Sequence, residues 1–157
     1  DAVKIGMLHD EEIIDAVADA LKALPPQVPV VLDPVMIATS GAALIAPGTI
    51  NAMRFALFSE ATLITPNLPE LERIIDILVQ PGQRPGFFDH KRIETAHTHG
   101  TGCTLSSAIA TLLAHGQSLD NAVRLGRNFV LRAIEGAPGY GAGNGPLGHQ
   151  AVRSLAD

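Results

Sequence analysis

A single cysteine, Cys103, is all this chain contains, so no internal disulfide can form and nothing in it asks for an oxidising compartment. Basic runs are equally scarce. None is longer than the Lys91-Arg92 pair, and a formal charge of -5 with a pI near 5.6 argues against nucleic acid or an anionic membrane surface as a partner. The longest uncharged stretch, Pro34 to Met53, has the length to cross a bilayer. Pro34, Ser40, Gly41, Pro47, Gly48 and Asn51 interrupt it, and it reads as a loop plus a helix. No charged-then-apolar signal segment opens the chain, which makes the cytoplasm the expected compartment. The phosphate-loop pattern G-x-x-x-x-G-K-[ST] is missing too, which excludes a P-loop mechanism. The first residue is Asp1 rather than methionine, so the chain reads as processed or as a piece of something longer.

What is present favours small-molecule chemistry on one folded domain, residues 1–157. An apolar content of 46% over 157 residues is ample for a continuous core. Val3, Ile5 and Met7-Leu8 suggest a short strand. Glu11 to Leu24 then place Ile13, Ile14, Val17, Ala18, Leu21 and Leu24 at helical spacing. Asp10 can cap that helix, Glu11 and Glu12 suit its positive end, and Pro25-Pro26 stop it. "VPVVLDP" reads as a strand buried on both faces of a parallel sheet. Thr49 to Phe58 form a helical stripe through Ile50, Met53 and Leu57, and "ATLITPN" repeats the pattern of apolar strand and polar turn. Leu71, Ile74, Ile75 and Leu78 predict a third helix, after which Pro81, Gly82, Pro85 and Gly86 predict a loop. The last third is helical. Leu105, Ala108, Ile109, Leu112 and Leu113 form one stripe, Gly116 ends it, and Ser118 can cap a second helix carrying Ala122, Val123, Phe129, Val130, Ala133 and Ile134. Alternating strands and helices predict an α/β fold with a mostly parallel sheet, in which ligands sit outside the carboxyl ends of the strands.

"THGTGCTLSSAIATLLAHG", Thr98 to Gly116, carries the most chemistry. The first turn of a helix has unpaired backbone N–H groups and a positive dipole end, and glycine lets a phosphate come close to the backbone. Gly100, Thr101, Gly102 and Cys103 have that form, and a helix start also favours a thiolate. From these four residues alone, the alternative is a small side chain packing at a crowded helix start. Asp33 and Asn67 fall at carboxyl ends of strands, and Glu70 would stand in the first turn of the next helix. Two separated carboxylates at one sheet edge suit Mg²⁺, which takes one or two protein oxygens and leaves the rest for phosphate and water. The alternative reading of Glu70 is that it complements the helix dipole. "GNGPLG", Gly143 to Gly148, matches the dinucleotide pattern G-x-G-x-x-G, but it follows a helix, contains Pro146 and leaves no room for a second strand. His97, His99 and Cys103 lack a fourth ligand at recognised spacing, which argues against zinc.

Taken in order, "DAVKIGML", "VVLDPVMIATSG", "TLITPNLPE", "RIETAHTHGTGCTLSSAIA" and "GNGPLGH" resemble the hydroxymethylpyrimidine/phosphomethylpyrimidine kinases of thiamine biosynthesis, within the ribokinase-like group. The resemblance covers nearly the whole chain apart from Val79 to Gly86. It implies a three-layer α/β/α fold and ATP-dependent phosphorylation of 4-amino-5-hydroxymethyl-2-methylpyrimidine and of its monophosphate, with Mg²⁺. It also implies that the Gly100 to Cys103 amides form an anion hole and that Cys103 holds the place of the catalytic base. Asn67 and Glu70 would form an N-x-x-E element organising Mg²⁺ and phosphates, Asp33 would lie near the metal, and Met7 and Val35 would line the pyrimidine pocket.

The chain departs from the family pattern in two places. Strands and a helix that precede "DAVKIGML" in the family have no counterpart here, and Ile75 to Lys91 replace a longer interval, so a segment near 79–87 reads as missing. An incomplete sheet would expose apolar edges. Such an edge leaves a homodimer, or a noncatalytic relative that still binds nucleotide or pairs with a partner subunit, as alternatives. A pyridoxal or pyridoxine kinase on the same scaffold is a further alternative.

Overall fold

The computed structural model describes residues 1–35, 47–66, 73–78, 80, 83–91 and 93–153. Strand β1 (Val3–Ile5) leads into helix α1 (Glu11–Lys22), strand β2 (Val30–Leu32), helix α2 (Pro47–Ala56) and strand β3 (Leu63–Ile64). The three strands lie side by side in chain order and parallel, with Val3 opposite Val30, Ile5 opposite Leu32, and Val31 opposite Leu63. Each crossover carries a helix, as parallel pairing requires.

The period of two along β2 divides the core. Val30 and Leu32 join Ile5, Leu8, Ile14, Ala18, Leu21, Met53 and Leu57 in one cluster, built against α1 and α2. Val31, between them, joins Ile109, Ala110, Ala122 and Val123 in a second cluster on the opposite face, built by α3 (Thr101–Ala114) and α4 (Leu119–Glu135). A strand buried on both sides thus separates two helical layers, which is the three-layer arrangement the family resemblance implies. Side chains such as Ile14 and Leu57, fully removed from solvent, contribute about 1.5–3 kcal/mol each.

Local signals place the helix ends. Asp10 Oδ1 accepts a hydrogen bond from Ile13 N at 2.9 Å at the start of α1, and Ser118 Oγ accepts one from Asn121 N at 3.4 Å at the start of α4. The buried stripe of α1 is narrower than expected: Ile14, Ala18 and Leu21 are buried, whereas Ile13 and Leu24 remain exposed. The expected α2 begins two residues earlier than Thr49, at Pro47, a residue suited to a first helical position.

One expected element is different. Residues 73–78, read above as part of a helix, form strand β4 (Arg73–Leu78), paired antiparallel with β5 (Gly86–Lys91), with Arg73 opposite Lys91 and Leu78 opposite Gly86. An apolar run of this length fits either period, and Ile74, Ile75 and Ile77 are β-branched residues that favour a strand. In the sequence, the breakers that begin at Pro81 leave too few residues for a stable helix. The hairpin is anchored on α4: Arg127 lies over the Phe88 ring at 5.1 Å and donates from Nη2 to Phe88 O at 3.1 Å, while Gln80 Nε2 donates to the Asp120 carboxylate at 3.3 Å.

Candidate active site

Helix α3 begins at Gly100, whose φ of +84° is left-handed backbone that other residues adopt only under strain. A Cβ built there would meet nothing within 4 Å, so the backbone angle alone requires glycine. Thr104 N donates to Gly100 O at 2.8 Å, closing the first turn. No side chain caps this end, and no acidic residue stands in the first turn. The amides of Gly102 and Cys103 lie in the part of the helix that has no acceptor of its own. Cys103 is exposed on the same turn.

Beneath it lies Asp33, just past the end of β2 and only 3% exposed, its backbone N donating to Ile5 O at 2.9 Å. A Cβ added to Gly102 would stand 3.8 Å from Asp33 Oδ2, in ordinary contact. Burial pushes the Asp33 pKa above the usual carboxylate range, opposed by the charge of Lys4 and by a hydrogen bond from Ser106. The Ser106 hydroxyl is fully buried. It lies 3.2 Å from Asp33 Oδ2, 3.0 Å from Gly102 O and 3.1 Å from Cys103 O, so its single hydrogen can serve either the carboxylate or the helix. Lys4 pairs with Val31 in the sheet register, which puts it on the face that α3 covers. Neither Ser106 nor Lys4 stands out in the sequence reading. A fully polar side chain on the apolar stripe of α3 was the one available signal for Ser106.

Met7 is 55% exposed beyond the end of β1, and Val35, half-buried, donates its N–H to Asp33 O at 2.8 Å beyond the end of β2. Asp33, Met7 and Val35 thus share the carboxyl edge of the sheet. Asn67 and Glu70 lie outside the described residues. Among the described residues no group of three or more His, Cys, Asp or Glu side chains could hold a metal ion.

The Gly-rich tail returns to the same helix. His99 forms a parallel bridge with Pro146, and Gly145 packs against the imidazole of His97, where a side chain would collide. Gly148 N donates to Ala133 O at 2.7 Å, and Leu147 is buried. His149 places Nε2 2.9 Å from Thr104 Oγ1 and stacks on Phe129, with ring centroids 6.0 Å apart and planes 11° from parallel. "GNGPLG" is therefore a packing segment, with no strand-turn-helix around it.

Comparison with known proteins gives this arrangement a context. The sequence model described as phosphomethylpyrimidine kinase matches residues 1–84 and 71–148. The hydroxymethylpyrimidine/phosphomethylpyrimidine kinase of Haemophilus influenzae is 35% identical in an alignment of 193 positions that covers 97% of this chain and 71% of the relative. A thiamine biosynthesis bifunctional protein of Geobacter sulfurreducens is 35% identical, with 95% of this chain and 38% of the relative covered, so the chain spans well under half of that longer protein. Among solved structures, the pyridoxal kinase of Staphylococcus aureus in complex with AMP-PCP and pyridoxal superimposes with a TM-score of 0.82 at 26% identity, covering 96% of this chain and 68% of that one. The fold is that of the ribokinase-like kinases, and with the family pattern running through both helical layers and the α3 start, the chain belongs to the phosphomethylpyrimidine kinase family.

Proposed function

We propose that the site phosphorylates 4-amino-5-hydroxymethyl-2-methylpyrimidine and then its monophosphate, using ATP, in thiamine biosynthesis. The observation that carries this reading is the uncapped start of α3, with Gly100, Gly102 and exposed Cys103 above the buried Asp33 carboxylate. Phosphoryl transfer is mostly positioning and charge stabilisation, and backbone amides fixed before the reaction supply it without reorganising. In the first reaction the hydroxymethyl oxygen attacks the terminal phosphorus, the bond to ADP breaks, and the alcohol proton passes to Cys103 Sγ. In the second, the acceptor is a phosphate monoester whose oxygen is already ionised at neutral pH, so a base has little to remove.

Asp33 also bears on Mg²⁺. A phosphate at the α3 amides and the Asp33 carboxylate beside Gly102 would be two anions at one helix start, and a cation there would relieve both their repulsion and the cost of burying Asp33. One protein carboxylate is enough, because Mg²⁺ keeps water and phosphate oxygens as its other ligands. Asp33 would hold the ion, and Mg²⁺ would neutralise charge on the transferred group. Asn67 and Glu70 are assigned to phosphate and metal on the family pattern, and Met7 and Val35 to the pyrimidine, in keeping with their place at the strand ends.

We read residues 1–157 as one ribokinase-like domain in which a segment near 79–87 of the family pattern is missing, working in the cytoplasm and able to form a homodimer. The 193-position alignment against a 157-residue chain supports the shortened interior. A pyridoxal kinase is the second reading, favoured by the structural match to that enzyme. Rates of the chain and of Cys103→Ala on the pyrimidine alcohol, its monophosphate and pyridoxine separate the readings. We expect Cys103→Ala to slow alcohol phosphorylation about 10²-fold or more, with a much smaller loss on the monophosphate. Equal losses would remove the base role, a preference for pyridoxine would favour the second reading, and no turnover of any substrate would leave a noncatalytic nucleotide-binding relative.

A further inference from the structure

The tail reaches the α3 start from both sides. Before the turn, His99 bridges Pro146; after it, Thr104 Oγ1 meets His149 Nε2 at 2.9 Å. Gly100 to Cys103 are therefore enclosed between two attachments of one four-residue segment, Pro146 to His149. That segment is itself fixed by buried Leu147, by the bond from Gly148 N to Ala133 O on α4, and by the stack of His149 on Phe129. Glycine is required inside the device: a Cβ on Gly148 would overlap the carbonyl of Gly136.

An uncapped helix start with a left-handed glycine is a turn with little local reason to stay in one conformation. Its first residues make few bonds of their own, and terminal turns fray. An anion hole works only when its donors are aimed before the anion arrives. We propose that Pro146 to His149 form a strap that pre-organises the anion hole, with His149 as a positioning residue acting through Thr104. His149 touches neither the proposed base nor Asp33 in any described contact. Its ring is oriented by Phe129, and its hydrogen bond holds the hydroxyl that projects from the turn containing Thr104 N, the amide that closes onto Gly100 O.

This inference rests on the proposed kinase reading, and two measurements keep their failures apart. The first needs no activity. Amide hydrogen exchange at Thr104 should speed up about tenfold in His149→Ala and in Thr104→Val, while Ile109 and Ala110 in the middle of α3 keep their protection. His149→Gln, whose amide can reach the same place as Nε2, should restore most of it. The second is kinetic: His149→Ala should lower kcat about 3- to 10-fold, as expected for one hydrogen bond, with the KM for the pyrimidine unchanged. The loss in the double variant His149→Ala/Thr104→Val should match that of either single variant. Unchanged exchange at Thr104, or fully additive losses in kcat, overturns the strap. Faster exchange at Thr104 in a chain that turns over none of the substrates would sustain the strap and sink the kinase reading.

Discussion

Helices α1 and α3 both begin at the carboxyl edge of the sheet, and their first turns are built in opposite ways. At α1 the sequence answers the helix itself: Asp10 accepts from Ile13 N, and Glu11 and Glu12 face the positive end. At α3 nothing of the kind is supplied: the cap is a left-handed glycine, the turn holds no carboxylate, and the Asp33 carboxylate beside it comes from just past the end of β2 and is held by Ser106. Helix α4 sides with α1, through Ser118 and Asp120. On the proposed reading, the difference separates a helix start made for stability from one left open to an external anion. At α1 the Asp10 side chain takes up the Ile13 donor, whereas at α3 no side chain caps the turn, which is what the proposed anion hole requires.

The sharpest way to break this comparison is Gly102→Ala. The added methyl would stand in ordinary contact with Asp33 Oδ2, and alanine favours the helix, so the melting temperature should hold or rise. The methyl would nevertheless keep a phosphate off the backbone, and kcat/KM for ATP should fall about 100-fold, as misplacing a reacting group by ~1 Å does. A stable variant with normal kinetics would show that glycine there serves packing alone. At α1 the pattern should invert. Asp10→Ala should cost about 1 kcal/mol, a drop of about 2–4 °C in melting temperature, and leave turnover unchanged. A loss of activity without a loss of stability would remove the contrast between the two starts.

The smallest change in stability concerns Asp33 and depends on pH. Burial raises its pKa, so the folded state keeps the proton to higher pH than the unfolded chain does. Across that interval stability falls as pH rises, and at neutral pH the ionised carboxylate is a net cost. Asp33→Asn should therefore melt higher than the wild type at pH 7, each ~1 kcal/mol being worth about 2–4 °C, and the gap should close as pH falls below about 4. A gap that stays constant over this range would mean that packing rather than charge sets it. Activity should be lost in the same variant, which places the two roles of Asp33 in opposition.

How far these features could be read from the chain follows their range. The caps at Asp10 and Ser118 and the buried run Val30 to Leu32 depend on neighbours within a few residues, and the expected elements stand there. Gly100 to Cys103 were also legible as a helix start. The segment around Ile74 and Ile75 was not, because its short apolar run satisfies two periods and only pairing with Gly86 to Lys91 chooses between them. Ser106 and Lys4 escaped for a related reason: each is remote in sequence from Asp33, and no local pattern shows which charge they face. Asn67 and Glu70 fall outside the described residues, so their assignment still rests on the family pattern.

By itself, then, the order of residues determined where helices α1, α3 and α4 start, which strand is buried twice, and which turn lacks a cap, since these depend on backbone angles and on hydrogen bonds spanning a few positions. Only the tertiary structure decided that Asp33 lies under Gly102, that Ser106 holds it, and that Pro146 to His149 close around the same turn. Those contacts join residues 45 to 73 positions apart, and their energy exists only once the sheet has brought the segments together.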